Sequence, residues 1–238
     1  IHSTCSDGKF TIKRILTEAK ARKIGFLSIT DHDSIGFQCE AVSLAKTAKI
    51  RYISGVELNV TFSHPQFREG KTVSLDFLGY QFDPNNEALK SKLENVARYR
   101  EERALKILEN LNAEFTKEGL ETLTKKDFRE IELSADGVLG RPHIADYLVK
   151  KKIVKTRQEA FDKYLVKCDV PKFPLYLKEA SRLIRDAGGK MVLAHPNDPN
   201  GTSLAALTKS LVEQTSIVQD LMVDYIDGVE CWHSRNDF

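Results

Sequence analysis

The chain has 238 residues, 41% hydrophobic and 29% charged, which suits a globular protein with a sizeable core in one barrel-sized domain or two small ones. Lys and Arg number 36 against 34 Asp and Glu, a net charge of +2, so no global field argues for a nucleic-acid or membrane partner and any phosphate binding has to be local. No apolar run approaches the roughly 18 residues needed to span a bilayer, no signal-type segment precedes the first polar motif, and Cys5, Cys39, Cys168 and Cys231 form no CxxC pair. The cysteines read as free thiols of a reducing compartment, which places the protein in the cytoplasm. The start at Ile1 without Met and the end just after a polar cluster fit a piece of something longer.

In chain order, His2-Ser3-Thr4-Cys5-Ser6-Asp7-Gly8 opens the sequence, and a helix follows with Ile12, Ile15, Leu16 and Ala19 on one face, Thr11 as N-cap and Gly25 as its stop. An apolar strand from Phe26 ends in Thr30-Asp31-His32-Asp33, and a helix from Gln38 to Lys49 follows. The run Arg51 to Val56 then leads to Glu57 as if to the end of a strand. Val73 to Phe82 reads as a strand with Asp76 inside it, an acid that is costly to bury unless paired or bound to a cation.

Between about Asp83 and Leu177 the period becomes helical. Glu87 to about Lys117 carries an apolar stripe through Leu89, Leu93, Val96, Leu105, Leu108, Leu111 and Phe115, with Arg98, Arg100, Glu101, Glu102 and Arg103 read as a solvated face. Shorter helices are expected at Lys125 to Glu132, Pro142 to Lys152 and Arg157 to Val166, with Asp136-Gly137 as a link, and no strand is convincing. Alternation then resumes: helix Lys178 to Ala187, strand Lys190 to Ala194 ending in His195-Pro196, helix Ser203 to Met222, strand Tyr225 to Val229 ending in Glu230, with His233 three residues on. Strands alternating with helices predict parallel strands with crossover helices, and in a (β/α) barrel the strand C-termini meet on one face.

Asp31, His32, Glu57 and His195 would all arrive on that face, joined by His2 if a first strand precedes it. Carboxylate and imidazole donors together suit zinc, manganese or iron better than calcium or magnesium. For Thr30 to Asp33 alone, a polar loop capping the next helix is an equally good reading, and it is the recurrence along the chain that favours a metal. Asp76 is evenly balanced between structural acid and ligand. Glu230 reads as an acid supporting a ligand from behind, His233 as either, and His64, in a loop before Pro65, as structural.

The sequence resembles the PHP family, named for polymerase and histidinol phosphatase. The family pattern His-x-His-Ser-x-x-Ser-Asp-Gly, Thr-Asp-His-Asp, Gly-Val-Glu and Ala-His-Pro stands here as His2 to Gly8, Thr30 to Asp33, Gly55 to Glu57 and Ala194 to Pro196. The resemblance implies an α/β fold, a distorted seven-stranded (β/α) barrel over 1–82 and 178–238, incomplete at both ends, with an all-helical insertion over 83–177. It implies two or three divalent metal ions, manganese, zinc or iron, held by His2, Asp31, His32, Glu57, Asp76 and His195, with Asp31, His32 and His195 also catalytic. Relatives carry a His where Asp76 stands, another His two places before His2, and a final Asp-x-His pair, so the ligand set within this chain is incomplete.

The expected chemistry is hydrolysis of phosphate esters by metal-activated water, without a Ser or Cys nucleophile. Arg141 suits a phosphate because a guanidinium donates two parallel hydrogen bonds, and His143 and Lys172 add charge from the inserted section, which resembles that of the nucleotide-directed members. The predicted substrates are nucleotides, short oligonucleotides or another phosphate-bearing small molecule, with no membrane or specific protein partner inferred. The alternatives are a small-molecule phosphatase such as histidinol phosphatase, or a non-catalytic PHP scaffold. An amidohydrolase-type carbon–nitrogen hydrolase is disfavoured because Glu57 stands where those enzymes commonly use a bridging Lys.

Overall fold

The computed structural model describes residues 1–134, 140–199 and 202–233; the expected link at Asp136-Gly137 lies outside the described residues. Helix α1 (Ile12–Ala21) starts where the Thr11 hydroxyl accepts from the Arg14 amide, and it buries Ile12, Ile15, Leu16 and Ala19. It stops before Gly25. Lys23 takes the left-handed conformation, while the Lys23 and Ile24 amides donate back to the Lys20 and Ala19 carbonyls, so the chain closes the helix without a glycine.

The first strand is shorter than expected. Strand β1 (Phe26–Leu27) pairs in parallel with β2 (Arg51–Tyr52), across helix α2 (Gln38–Ala48). A four-stranded sheet follows in the order β3 (Gly55–Phe62), β4 (Val73–Tyr80), β5 (Lys190–Leu193), β6 (Gly228–Val229). The two sheets meet at a single parallel bridge between His32 and Glu57, with Glu57 N donating to Asp31 O and Asp33 N donating to Glu57 O. On the other side, Thr30 N donates to Ile1 O, which brings the N-terminus alongside.

The all-parallel expectation fails at β4, which runs antiparallel to both β3 and β5; within this sheet's described strands only β5 and β6 pair in parallel. The physical reason is the connection. Segment 63–72 holds no more than the 3₁₀ turn Arg68–Gly70, and a parallel crossover needs a dozen or more residues, usually with a helix. The described residues form six strands in an open mixed α/β arrangement rather than a closed seven-stranded barrel. The expected helix Ser203 to Met222 is also broken. A 3₁₀ turn at Leu204–Ala206 precedes a fresh helix, Leu211–Leu221, capped by the Ser210 hydroxyl on the Glu213 amide.

The described residues from 87 to 165 hold helices and no strand: α3 (Glu87–Glu118), α4 (Lys125–Ser134), α5 (Arg141–Lys150) and α6 (Arg157–Ala160), the last continuing as a π-helical turn Phe161–Leu165. Leu111 and Phe115 of α3, Ile131 of α4, Ile144 and Leu148 of α5 and Tyr164 make a core of their own. The first turns of α3 belong elsewhere. Leu89 and Leu93 pack in the sheet core with Val56, Leu75, Phe77 and, from helix α7 (Leu177–Asp186), Ile184. One continuous helix therefore serves two cores. Among the described residues no helix is long and apolar enough to cross a membrane.

Candidate metal centre

The side chains that converge do so because of backbone features. Successive residues of an extended chain face opposite sides, so Asp31 and His32 cannot both point the same way. His32 faces the interior beside Glu57, whereas the fully buried Asp31 carboxylate is taken up on the other side by Ser3 N (2.6 Å), Ser3 Oγ (2.5 Å) and Ser6 Oγ (2.5 Å). Asp31, expected to be a metal ligand and catalytic, instead pins the N-terminal turn. Gly8 is needed in that turn because a Cβ there would overlap the His2 carbonyl. The result is that His2 stands over His32, with ring centroids 4.6 Å apart.

Glu57 sits inside β3, not at its end, and its carboxylate reaches two ways. Oε2 lies 2.9 Å from His2 Nε2 and 3.8 Å from His32 Nδ1, and Oε1 lies 3.0 Å from His195 Nε2. Asp76 Oδ2 is 3.7 Å from the same His195 nitrogen. His195, two residues past the end of β5, has a positive φ of 25°, and its amide donates to Glu230 Oε2 at 2.8 Å, which matches the supporting role expected of that acid. The donors fall into two groups, His2, His32, Glu57 and Glu57, Asp76, His195, each with its ligand atoms within 4.8 Å of one another. Two donors about 2.0–2.2 Å from one ion at tetrahedral or octahedral angles stand roughly 3 to 3.5 Å apart, so this donor set fits divalent cations. Glu57 offers one oxygen to each group.

Burial by itself would raise the Glu57 carboxyl, but hydrogen bonds from His195 and His2 and the neighbouring imidazoles outweigh it and hold it well below the ordinary carboxylate range. Asp76 goes the other way, raised by burial and by the Glu57 charge against hydrogen bonds from Thr202 and Asn59. A buried acid poised in this way is relieved by a cation.

A cavity of about 570 Å³ opens over these residues, and Arg141, His143 and Lys172 line it together with Glu57, Asp76 and His195. Arg141 Nη1 rests on Asp169 Oδ2 at 2.6 Å, with its guanidinium over the Phe161 ring. Lys172 Nζ donates to Asn59 Oδ1 (3.0 Å) and Ser74 Oγ (3.1 Å), and burial lowers its pKa against the pull of Asp76. His143 Nδ1 accepts from Gly140 N at 3.1 Å, capping α5. His64 stays apart, accepting from Gln66 N and packing on Phe67.

Sequence reasoning missed three groups. Asp7 lies 3.2 Å from His2 Nδ1 and 3.8 Å from His32 Nε2, a further carboxylate at the first donor group, and the Ser-Asp-Gly of the opening motif was its signal. Arg100 and Arg103 were assigned to a solvated face, yet both line the cavity: Arg100 pairs with Asp33, and Arg103 Nη2 reaches Asp169 Oδ1 at 2.5 Å. The signal was the spacing, since the apolar series Leu89, Leu93, Val96 continues through 100 and 103 to Ile107 and Leu111.

The PHP domain model matches residues 1–168. The chain is 30% identical over 202 residues to a 5'-3' exoribonuclease of Haemophilus influenzae, covering 82% of this chain and 66% of that protein. It is likewise 30% identical over 202 residues to a 3',5'-nucleoside bisphosphate phosphatase of Chromobacterium violaceum, covering 82% and 65%. The chain thus spans just under two thirds of the length of these curated relatives. A solved structure from Bifidobacterium adolescentis, described as a metal-dependent phosphoesterase, superposes with a TM-score of 0.73 at 27% identity, covering 99% of this chain and 77% of that one. The matched region takes in most of the chain, including His2, His32, Glu57 and Asp76, and the chain belongs to the PHP domain family.

Proposed function

We propose that this chain carries the catalytic centre of a metal-dependent phosphoesterase acting on nucleotides or short oligonucleotides. The observation that carries the reading is the placement of Glu57, with one oxygen directed at His2 and His32 and the other at His195 beside Asp76. In this reading His2, His32 and Glu57, with Asp7, hold one divalent cation, and Glu57, Asp76 and His195 hold a second; manganese, zinc and iron suit the mixed nitrogen and oxygen donors. Bound there, such ions supply a Lewis acid for phosphate oxygens and an acidified water near neutral pH. Asp31 acts indirectly, through the N-terminal turn that carries His2.

The remaining roles belong to the cavity wall. Arg103 and Arg141 share the single carboxylate of Asp169 and Arg103 Nε also donates to Val170 O, which fixes both guanidinium groups and leaves N–H groups of Arg103 Nη1 and of Arg141 to meet phosphate oxygens. His143 uses Nδ1 as an acceptor, which places the neutral ring's proton on Nε2 and makes that atom a donor. Residues 83–177 serve as a cap over the strand-bearing part, residues 1–82 and 178–238, restricting access to a nucleotide or a chain end. The test is phosphate release from a nucleoside 3',5'-bisphosphate, a 5'-phosphorylated oligonucleotide and histidinol phosphate, with added Mn²⁺ or with chelator. Metal-dependent turnover of the first two is expected. Turnover of histidinol phosphate alone would make it a small-molecule phosphatase, and no turnover of any would leave a scaffold.

A further inference from the structure

A second cavity, of about 520 Å³, adjoins the first and shares His32, Asp33 and Arg100 with it. We propose that it is a nucleoside subsite, which takes the uncharged base and sugar of the substrate while the phosphate lies across the Asp33–Arg100 pair at the metal centre. This rests on the phosphoesterase reading for its orientation, though not for its test.

Three observations carry it. The first is position. Asp33 leaves the extended path with a φ of 45°, its Oδ1 accepts from Asn59 N at 3.1 Å, and its Oδ2 takes Arg100 from α3. The wall between the cavities is therefore an ion pair at the residue next to His32, so the second cavity opens beside the donor groups. The second is charge. Beyond the shared wall, the first cavity presents Arg103, Arg141 and Lys172 around the donor carboxylates Asp7, Glu57 and Asp76, which cations would offset, whereas the second presents Lys90 against Glu94, Glu101 and Glu132 with no donor cluster to hold a cation among its described residues. Arg100 is already committed to Asp33. A second phosphate would meet net negative potential there, whereas the exocyclic amines and ribose hydroxyls of a nucleoside can donate to those carboxylates. The third is shape and surface. Ile35, Pro84, Leu93 and Ala97 supply apolar walls, and the volume lies in the range of about 300–1,000 Å³ typical of small-molecule sites. Asn85 adds an amide able to donate and accept at a base edge.

The experiment uses two inert probes in the presence of Mn²⁺: a phosphonate analogue of adenosine 5'-monophosphate, in which CH2 replaces the ester oxygen, and methylphosphonate. Their Kd values are measured by titration calorimetry on the wild-type chain and on Ala97→Trp, whose indole grows from an exposed helix position into the cavity. The wild type is expected to bind the nucleoside-bearing probe at least tenfold more tightly than methylphosphonate, and Ala97→Trp to abolish that preference with the methylphosphonate Kd changed less than twofold. Glu94→Lys, an exposed substitution that blocks nothing, provides a second arm and should cut the preference at least threefold. The proposal is overturned if the wild type shows no preference, if both variants keep it, or if both probes weaken in equal proportion. Neither probe can be hydrolysed, so these outcomes are independent of whether the chain turns over phosphate esters.

Discussion

Replacing Glu57 with Gln keeps the shape of the side chain and removes the charge shared by the two donor groups. Its contacts to His2 (2.9 Å) and His195 (3.0 Å) are of the charge-assisted class, worth about 1.5–3 kcal/mol each against about 0.5–1.5 kcal/mol for neutral hydrogen bonds. The difference is about 1–1.5 kcal/mol per contact and about 2–3 kcal/mol over two, or roughly 30- to 150-fold in a binding constant, a lower bound for a divalent cation at the same oxygens. The metal-free fold should not suffer in proportion, since the substitution also removes the cost of burying a carboxylate. The assay is thermal unfolding with and without Mn²⁺, alongside direct titration of the ion. A wild-type chain at 100 times its Kd gains about 2.7 kcal/mol, and the variant should gain no more than about 0.3–0.9 kcal/mol under the same conditions. A Glu57→Gln protein with the wild-type Mn²⁺ isotherm would refute the bridging arrangement.

Arg141→Ala should lower kcat/KM for nucleotide substrates by roughly 10- to 150-fold, the scale of one charge-assisted hydrogen bond, with Arg103 still held on Asp169; unchanged kinetics would remove the cap from phosphate recognition. Gly8→Ala should cost about 1–3 kcal/mol in urea denaturation and at least tenfold in Mn²⁺ affinity, because the new Cβ collides with the His2 carbonyl; a stable variant with normal affinity would show that the turn does not position His2. Asp127, which accepts from Tyr147 Oη (2.6 Å) and Thr124 and pairs with Lys151 (2.7 Å), is held well below the usual carboxylate range by these partners despite the opposing effect of burial. With its folded pKa below the unfolded value, its contribution is present above about pH 4 and lost as pH falls further, so the stability gap between wild type and Asp127→Asn should close in acid. A gap independent of pH would contradict this.

The places where sequence was a good guide share a cause: local pattern and local chemistry agreed. His195 after a short buried strand, the helix start at Gly140-Arg141-Pro142-His143 and the apolar stripe of α3 were legible because nothing distant had to be known. The exception is Leu105, expected in the stripe, which is exposed while Ala104 and Ile107 are buried, as the helical period carried on from Leu93 and Val96 requires. Glu57 was found but misplaced, since an apolar strand that continues beyond an acid looks, residue by residue, like one that ends there. Asp31 was misassigned because a run of ionisable residues does not show which side of an extended chain each occupies; its serine partners lie 25 and 28 residues away. The antiparallel course of β4 was hidden by the expectation of alternation, although the absence of a helix between Phe62 and Val73 already argued against a crossover. Arg100 and Arg103 were read by their charge when their spacing was the better guide.

The continuity of α3 fixes a relation of angle between the two cores. Its 32 residues run about 48 Å, with Leu89 and Leu93 in one core, Ile107, Leu111 and Phe115 in the other, and Val96, Arg100 and Arg103 between. Each residue added or deleted in that middle stretch would turn everything beyond it by about 100° and shift it by about 1.5 Å. One such change would carry Arg141 and Asp169 away from the donors, and even four, the nearest approach to a whole turn, would leave about 40° of misalignment and 6 Å of displacement. The azimuth of the cavity's arginines over the candidate donor groups is thus set by a residue count. Length variation is tolerable in the links before Glu87 or after Glu118, and intolerable within the helical turns between the cores.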